Sequence, residues 1–574
     1  MKSSYEPTDE QKTIFLHPGE AFVTACPGAG KTRTMVERAR ILLGEKSDRR
    51  GVAFLSFTNA AVEELEARLR TFGVLPTPLF PSFIGTFDRF LWQFFIAPFG
   101  MPECEDPPKL IPDKAHWIVQ PHQTMHPLPL NIFDRKTAKL DPLLARKHGF
   151  DASRKSPKPY EGAALSVLNN ALKRGQVDFD DIRACVRDRM ADKIFADRLG
   201  LALAGRFREI IVDEAQDCNP ADLDVVQWLR DHKICVKVIC DPNQSIYQFR
   251  GGVTGELVKF QDRFTAEQRL PMTGNFRSSP AICAAIAALR PPRSRGAADI
   301  ALGRYKSETA PVHILSYRGS GVSTAIGPKF VSLIAAAGIA PASAPILSSR
   351  RASAAKAIGI PTLQETSHLT LQLAQSAMAY HFAFNMGNRR EALAALHRTV
   401  LQVQQHIGAP GDYHRHIIAN GLDDGRWRPA VIAIANALRF TPPQTADDWL
   451  QQARRVLAPG LVGGSSIAQR LRSTSDLSTA LASAPATACP PRTIHSAKGL
   501  EFPAVCVVLT NQKAGDILGC LEGSSLTADE DARKIYVAAS RAERLLAIAI
   551  PRSKAERLQA LLAGVQCPTL VHDI

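Results

Sequence analysis

A glycine-rich segment near the start of the chain has the composition of a phosphate-binding loop. Residues 25–32 read Ala-Cys-Pro-Gly-Ala-Gly-Lys-Thr, between a short apolar run and a helical stretch. Gly28 and Gly30 would let backbone N–H groups approach phosphate oxygens, and the following helix N-terminus would add partial positive charge. Lys31 is then placed to neutralise the β- and γ-phosphates, and Thr32 to hold Mg²⁺. The strict P-loop pattern begins with glycine where this chain has alanine, so the match is imperfect.

A second segment supplies carboxylates at the end of an apolar run. Residues 210–217 read Ile-Ile-Val-Asp-Glu-Ala-Gln-Asp. Asp213 is placed to hold the Mg²⁺ shell, and Glu214 to accept a proton from an attacking water. Taken alone, acidic residues at a strand end are more often a solvated loop. Their position after a P-loop along the chain favours nucleotide hydrolysis.

These residues need a rigid scaffold, and the apolar pattern predicts one. Unbroken apolar runs flanked by helical stretches are typical of parallel strands buried on both faces. Helices are predicted at Lys31–Leu43 and Asn59–Phe72. Strands are predicted at Ala21–Ala25, Val52–Phe57, Ile210–Val212, Ile234–Cys240, Val312–Ser316, Ala344–Ser348, Ala504–Leu509 and Leu545–Ile550. The pattern predicts an α/β fold with active loops at the carboxyl ends of the strands.

The domain organisation follows from where this pattern is interrupted. A length of 574 residues predicts about four compact units. Two sheets, each with a helical insertion, is the simplest division, and Ser473–Pro491 has the composition of a flexible connector. The predicted segments are residues 1–97 and 201–268 for the first sheet, 98–200 for its insertion, 269–365 and 491–574 for the second sheet, and 366–490 for the second, shorter insertion with its linker.

The charge balance indicates a polyanionic partner. The chain has 70 Lys and Arg residues and 55 Asp and Glu residues, which gives a net charge of +15 and a pI near 9.4. No apolar run approaches the roughly 20 residues of a spanning helix, so nucleic acid is favoured over a membrane. Eleven cysteines without a CxxC pair predict neither a zinc site nor a disulfide framework, and indicate a reducing, cytoplasmic setting.

Further segments, together with the two above, resemble the motifs of the UvrD/Rep/PcrA family of superfamily 1 helicases, in family order. The resemblance spans residue 8 to about residue 550. The additional segments are residues 8–11 (Thr-Asp-Glu-Gln), 57–61 (Phe-Thr-Asn-Ala-Ala), 85–90 (Gly-Thr-Phe-Asp-Arg-Phe), 240–252 (Cys-Asp-Pro-Asn-Gln-Ser-Ile-Tyr-Gln-Phe-Arg-Gly-Gly), 275–278 (Asn-Phe-Arg-Ser), 493–502 (Thr-Ile-His-Ser-Ala-Lys-Gly-Leu-Glu-Phe) and 536–542 (Tyr-Val-Ala-Ala-Ser-Arg-Ala).

The resemblance implies two RecA-like motor domains and further ATP-site residues. Gln244 would sense the γ-phosphate, while Arg277 and Arg541 would be arginine fingers from the second sheet. Such an active site is completed only when the domains close, so hydrolysis can drive domain opening. Contacts to the base and ribose would come from Gln11, Arg33, Phe276 and Glu501.

The resemblance also implies a path for single-stranded DNA, which a basic groove with aromatic faces can bind without sequence preference. Two positions depart from the family, which commonly has Trp where Phe249 stands and His where Asp88 stands. The first change reduces stacking area, and the second adds an anion. The implied DNA contacts are Phe57, Thr58, Asn59, Thr86, Phe87, Tyr247, Phe249, Arg250 and His495.

Three functions remain open on the sequence. The first is an ATP-driven 3′ to 5′ helicase or translocase on single-stranded and tailed duplex DNA, in repair, recombination or genome defence. The second is a DNA-stimulated ATPase or sensor subunit of a nuclease-containing, Gabija-like phage-defence complex, with little unwinding of its own. The third is a P-loop NTPase for a small substrate, which the later motifs disfavour. We expect no nuclease activity in this chain, but leave room for a nuclease or repair protein as partner.

Overall fold

The chain divides into two compact units, Met1–Gly274 and Asn275–Ile574, and each is described by itself. The computed structural model describes residues 6–45, 48–102, 104–111, 114–115, 117–246, 254–359, 368–385, 390–408, 412–422, 425–441, 443–481, 489–525 and 528–574.

The first unit alternates strands and helices along the chain. Its strands are β1 Ala21–Ala25, β2 Gly51–Ser56, β3 Phe83–Thr86, β4 Lys109–Leu110, β5 Ile118–Val119, β6 Leu128–Pro129, β7 Gln176–Val177, β8 Phe207–Val212, β9 Cys235–Cys240 and β10 Arg269–Met272. Its helices are α1 Asp9–Leu16, α2 Lys31–Gly44, α3 Asn59–Thr71, α4 Phe87–Leu91, α5 Pro142–Lys147, α6 Lys158–Lys173, α7 Phe179–Ala191, α8 Lys193–Arg206, α9 Pro220–Asp231 and α10 Thr254–Gln261.

Six of these strands form a parallel sheet in the order β10-β1-β9-β8-β2-β3. Both faces of the sheet are covered, because successive residues of one strand enter different cores: Phe22 packs in one and Val23 in the other. This is why the strands are unbroken apolar runs in the sequence. The P-loop segment, the acidic segment and residues 241–244 follow β1, β8 and β9, so all three lie at the carboxyl edge of the sheet.

Two strands differ from the prediction, one in where it begins and the other in the sheet that it joins. Strand β8 begins at Phe207, three residues before the predicted start, because the charge of Glu209 is neutralised inside the fold. Arg38 of α2 donates to both carboxylate oxygens, one at 2.9 Å. Strand β10 lies in residues 269–365, which are predicted to belong to the second sheet, but it pairs with β1 of the first sheet. The boundary predicted after residue 268 is therefore too early.

Part of the chain between β3 and β8 forms helices and short strands with a core of their own. The ring of Phe150 meets Tyr160 edge-on, with centroids 4.8 Å apart. Val119, Leu130 and Leu168 join the same buried cluster. Part of the predicted insertion, residues 119–168, therefore folds around apolar residues that are separate from the sheet. Its last two helices, α7 and α8, pack instead in the core of the sheet through residues such as Ile182, Val186 and Leu199.

The second unit repeats the plan. Its strands are β11 Gly274–Asn275, at the junction with the first unit, β12 Ile300–Ala301, β13 Val312–Tyr317, β14 Ile346–Ser348, β15 Pro491–Thr493, β16 Phe502–Val508, β17 Ala542–Pro551 and β18 Thr569–Asp573. Its helices are α11 Pro280–Ala288, α12 Ile326–Ala336, α13 Arg351–Ala357, α14 Leu369–Asn385, α15 Arg390–Val403, α16 Tyr413–Ala419, α17 Arg428–Ala437, α18 Ala446–Leu457, α19 Ile467–Arg470, α20 Leu477–Leu481, α21 Ile494–Ala497, α22 Asn511–Glu522, α23 Asp529–Ala539 and α24 Arg552–Ala563.

Six strands of this unit form a second parallel sheet, in the order β15-β14-β16-β17-β13-β18. The predicted α/β class with two parallel sheets is confirmed. The expectation that β17 is the last strand is wrong, because β18 pairs with β13 at the sheet edge. Residues 569–573 are all half-buried or exposed, so they lack the buried apolar run that marks the central strands.

Helices α14, α15 and α17–α20 pack around a core of their own. At its centre the buried Trp449 donates its indole N–H to the carbonyl of Leu438 at 2.8 Å. Part of the predicted connector belongs to this core, since Leu477 and Leu481 of α20 are buried in it. Residues 482–488 of that connector lie outside the described residues. None of the helices in the described ranges is long and apolar enough to cross a membrane.

Candidate active site

The glycine-rich loop connects β1 to α2 and is tightly curled. Gly28 and Gly30 have φ angles of 72° and 79°, in the left-handed region that favours glycine. Gly30 immediately precedes α2, and a Cβ placed on it would lie 3.0 Å from the side-chain nitrogen of Gln11. The loop therefore has the backbone shape that presents N–H groups to an anion.

Gln11 supports this loop from α1. The glutamine is 2% exposed, and its Nε2 donates to the carbonyl oxygen of Ala29 at 2.9 Å. Its position is fixed by a capping box, in which the Gln11 side chain accepts from the Thr8 backbone and the Thr8 hydroxyl accepts from the Gln11 backbone. The residue predicted to contact adenine is thus held against the phosphate-binding loop. Arg33, predicted for the same side, is half-buried in the first turn of α2.

Lys31 and Glu214 form an ion pair at the carboxyl edge of the sheet. The lysine Nζ lies 2.8 Å from Glu214 Oε1. Burial alone would lower the pKa of Lys31, but the neighbouring carboxylates, Glu214 first among them, raise it above its ordinary value. Glu214 has a φ of 56°, which is uncommon for a residue with a side chain. Two predicted catalytic residues from distant parts of the chain therefore meet here.

Asp213 has the properties of a cation ligand. It follows β8 and is 6% exposed, and its Oδ1 accepts no hydrogen bond from the residues that the structure describes. Burial, with the nearby charge of Glu214, raises the pKa of Asp213 to about 7 even though Lys31 opposes the shift. A buried carboxylate oxygen without a donor fits Mg²⁺, which prefers oxygen ligands. Asp213, with Thr32 at the second position of α2, would hold the ion.

A chain of buried side chains connects Glu214 to Gln244. Gln216 donates its amide to the Glu214 carboxylate, and its Oε1 accepts the backbone N–H of Asp241 at 3.1 Å. Gln244 Nε2 in turn donates to Asp241 Oδ2 at 2.9 Å. Gln216 and Asp241 had no role in the prediction. The sequence signal for them is their position, because each lies within a motif that also contains predicted site residues.

The residues expected to contact DNA differ in how accessible they are. Phe57 is half-buried after β2, and its ring stacks on Phe87 with centroids 5.5 Å apart and planes 12° from parallel. Phe87 is 0% exposed, so the prediction that it stacks on a base is wrong for this conformation. The reason is that α4 turns this side chain into the core, where it supports Phe57.

The polar residues of these two loops also cap helices. The hydroxyl oxygen of Thr58 accepts the Ala61 N–H at the start of α3, and that of Thr86 accepts the Arg89 N–H at the start of α4. Asn59 is exposed in the first turn of α3. The predicted contacts Tyr247, Phe249 and Arg250 lie outside the described residues.

In the second unit, two predicted ATP-site residues, Arg277 and Arg541, both donate to Ser540, and a third, Glu501, pairs with Arg277. Arg277 donates to Glu501 Oε1 at 2.8 and 2.5 Å and to the Ser540 carbonyl at 2.9 Å. Arg541 donates to the Ser540 hydroxyl at 2.9 Å and to the Val537 carbonyl at 3.2 Å. Arg541 is 3% exposed, so its side chain is buried in the fold of the second unit. Phe276 and His495 are half-buried in the same unit.

Comparisons with known proteins agree with this arrangement. The UvrD/REP helicase N-terminal domain model matches residues 7–100 and 109–265, and the UvrD-like helicase C-terminal domain model matches residues 477–553. Together they match more than half of the chain.

The curated relatives carry related names. An ATP-dependent DNA helicase UvrD2 of Mycobacterium tuberculosis is 25% identical over 96% of this chain and 79% of its own length. A DNA helicase II of Salmonella typhimurium is 26% identical over 49% of this chain and 40% of its own length. A putative ATP-dependent DNA helicase YjcD of Bacillus subtilis is 24% identical over 47% of this chain and 36% of its own length. The chain thus spans well under half of the last two relatives. With both family models matched, it belongs to the UvrD/Rep-like family of ATP-dependent DNA helicases.

Proposed function

We propose that this protein hydrolyses ATP with Mg²⁺ while moving 3′ to 5′ along single-stranded DNA, and that it separates the duplex ahead of it. The observation that carries the proposal is the pairing of Lys31 with Glu214 next to Asp213 at the carboxyl edge of the first sheet. This set supplies one cation for phosphate, one carboxylate for a metal and one for a proton. Membership of the helicase family supports the same assignment.

The ion pair defines what ATP binding must change. Lys31 has to leave Glu214 to reach the β- and γ-phosphates, and this exchange releases the Glu214 carboxylate. Glu214 is then available to accept a proton from the attacking water. Bound Mg²⁺, held by Thr32 and Asp213, would neutralise charge on the phosphates. The free form is therefore a resting state in which the base is occupied by the lysine.

Transition-state charge on the γ-phosphate needs further cations. We assign these roles to Arg277 and Arg541, which share Ser540 as a hydrogen-bond partner. Glu501 holds Arg277 and is the proposed ribose contact, so binding of nucleotide at Glu501 would release the arginine. Gln11, Arg33 and Phe276 complete the nucleotide contacts in this proposal.

The DNA path is proposed from the loops after β2 and β3, where Phe57 offers a partly exposed ring supported by Phe87. Thr58, Asn59 and Thr86 line the same two loops. The net charge of +15 supports a polyanion as partner. We retain Tyr247, Phe249, Arg250 and His495 as proposed contacts from the family resemblance.

Strand displacement on tailed duplexes tests the function directly. Duplexes with a 3′ tail, a 5′ tail or no tail are incubated with ATP and Mg²⁺, and Lys31→Ala serves as the ATPase-dead control. We expect displacement from the 3′-tailed duplex alone, and none by Lys31→Ala. Displacement only from the 5′-tailed duplex would contradict the polarity.

A DNA-stimulated ATPase without strand displacement would instead identify a sensor, as in a nuclease-containing defence complex. For a helicase we propose a role in repair, recombination or genome defence, and for a sensor a role in phage defence. We also propose that the protein acts with a nuclease or a repair protein as its partner.

A further inference from the structure

One guanidinium is held between two carboxylates that have no role in the proposed nucleotide site. Arg183 of α7 donates from Nη2 to Asp88 Oδ1 at 2.6 Å and from Nε to Asp222 Oδ1 at 2.8 Å. The side chains of Arg183 and Asp222 are 16% and 2% exposed, whereas that of Asp88 is 32% exposed. We call these three residues the Asp88 triad.

The two carboxylates of the triad belong to elements with different proposed tasks. Asp88 lies in α4, directly after Thr86 and Phe87 of the DNA-facing loop. Asp222 lies in the first turn of α9, where its Oδ2 accepts the backbone N–H of Asn219 in a capping box.

Helix α9 continues from the segment that bears the catalytic carboxylates. Cys218 and Asn219 alone separate it from the helical turn Ala215–Asp217, which follows Asp213 and Glu214. A shift of the first turn of α9 would therefore be transmitted to the segment with the catalytic carboxylates, which lies only a few residues before it. The triad is the polar contact through which α4 and α7 reach that turn, beside the apolar packing of the same helices.

We propose that Arg183 is a positioning residue that couples DNA contact at α4 to the catalytic carboxylate segment before α9, and so sets how strongly DNA stimulates ATP hydrolysis. The inference rests on the proposed function. It also gives a role to Asp88, the anion that stands in a DNA-facing motif, because its carboxylate is paired with Arg183. The helix that supplies the cation, α7, belongs to the insertion between β3 and β8.

The geometry suits coupling better than simple anchoring. A planar guanidinium donates in fixed directions, so moving Asp88 relative to Arg183 changes the bond to Asp222 as well. Burial raises the pKa of Asp222, and the charge of Arg183 opposes that rise. The partly exposed Asp88 is the member that DNA can displace, and the buried Asp222 is the member that responds.

Asp88→Ala is the variant that tests this without disturbing the core. It leaves the buried Arg183–Asp222 pair intact and removes a side chain that is one-third exposed. Asp88→Asn keeps an oxygen acceptor for Arg183, and Arg187→Gln removes an exposed cation one turn further along α7. For each full-length protein, ATP hydrolysis is measured without DNA and with saturating oligo-dT, and DNA affinity is measured by fluorescence anisotropy.

The expected result is a loss of the stimulation ratio, the rate with saturating DNA divided by the rate without DNA. Asp88→Ala should reduce the ratio by at least about fivefold, the lower range of coupling between sites. Asp88→Asn should retain most of the ratio, and Arg187→Gln all of it. Arg183→Gln should reduce it as Asp88→Ala does, and the double variant should be no worse than the stronger single variant.

Other outcomes overturn the inference in distinguishable ways. If Asp88→Ala only tightens DNA binding and keeps the ratio, Asp88 acts as a local charge and the coupling is refuted while the proposed function stands. Additive losses in the double variant would show that Asp88 and Arg183 act independently, with the same consequence. If DNA does not stimulate the wild-type protein, the proposed function and the inference both fail.

Discussion

Replacing Glu214 by glutamine should change ATP binding and ATP hydrolysis in opposite directions. In the free protein the Lys31 ammonium lies 2.8 Å from a Glu214 oxygen, so ATP has to compete with Glu214 for the lysine. Glutamine is close in shape and can still accept the amide of Gln216. It removes the competing charge and, with it, the proposed proton acceptor.

The structure sets the size of both effects. The two side chains are 14% and 26% exposed, so the pair lies between a surface ion pair and a buried one. After screening by solvent, such a pair contributes about 1 kcal/mol, which corresponds to roughly fivefold tighter ATP binding once it is removed. Loss of a general base lowers the turnover rate by about 10² to 10⁴.

The assay combines two measurements on one preparation. Affinity comes from titration with a fluorescent ATP analogue, and turnover from phosphate release with Mg²⁺ and single-stranded DNA. Glu37→Gln, which removes a carboxylate paired with Arg40 on the outer face of α2, is the matched control. Weaker ATP binding by Glu214→Gln, or turnover close to that of the wild type, would refute this reasoning.

Three further variants or conditions test other parts of the site. Because burial raises the pKa of Asp213 to about 7, a proton occupies it below that pH, so Mg-nucleotide affinity should fall between about pH 8 and about pH 6, approaching tenfold per unit. Affinity that does not change over this range, in an equilibrium titration, would exclude Asp213 as the titrating ligand. Arg541→Ala should lower the turnover rate by about 10² or more with a smaller effect on ATP affinity, and equal losses in both would indicate a ground-state contact. Phe57→Ala should weaken oligo-dT binding by about 1 kcal/mol or more in an anisotropy titration, and unchanged binding would remove Phe57 from the DNA path.

Much of the fold could be predicted because buried parallel strands are marked by composition. Strands such as β1 and β9 lie between two cores, so nearly every residue in them is apolar. Strands at or near sheet edges, such as β18, need no such run and were missed. Strand β8 was predicted too short because Arg38, far along the chain, neutralises its charged residue Glu209.

The candidate site could be predicted where the chemistry is local and not where it is assembled from distant residues. The glycines before Lys31 are required by the backbone of their own loop, so they are visible in the sequence. The Lys31–Glu214 pair could be expected only from motif order. The inward orientation of Phe87 and the bond from Arg183 to Asp88 depend on how helices pack, and nothing in the local pattern indicates either.

ATP hydrolysis by the purified protein, measured with and without single-stranded DNA, tests the central claim most directly. The account predicts Mg²⁺-dependent phosphate release that increases when DNA is added and that is lost in Lys31→Ala. This variant should still fold, because Lys31 at the start of α2 supplies charge and not apolar packing. Phosphate release that persists in Lys31→Ala, or that does not respond to DNA, would contradict it.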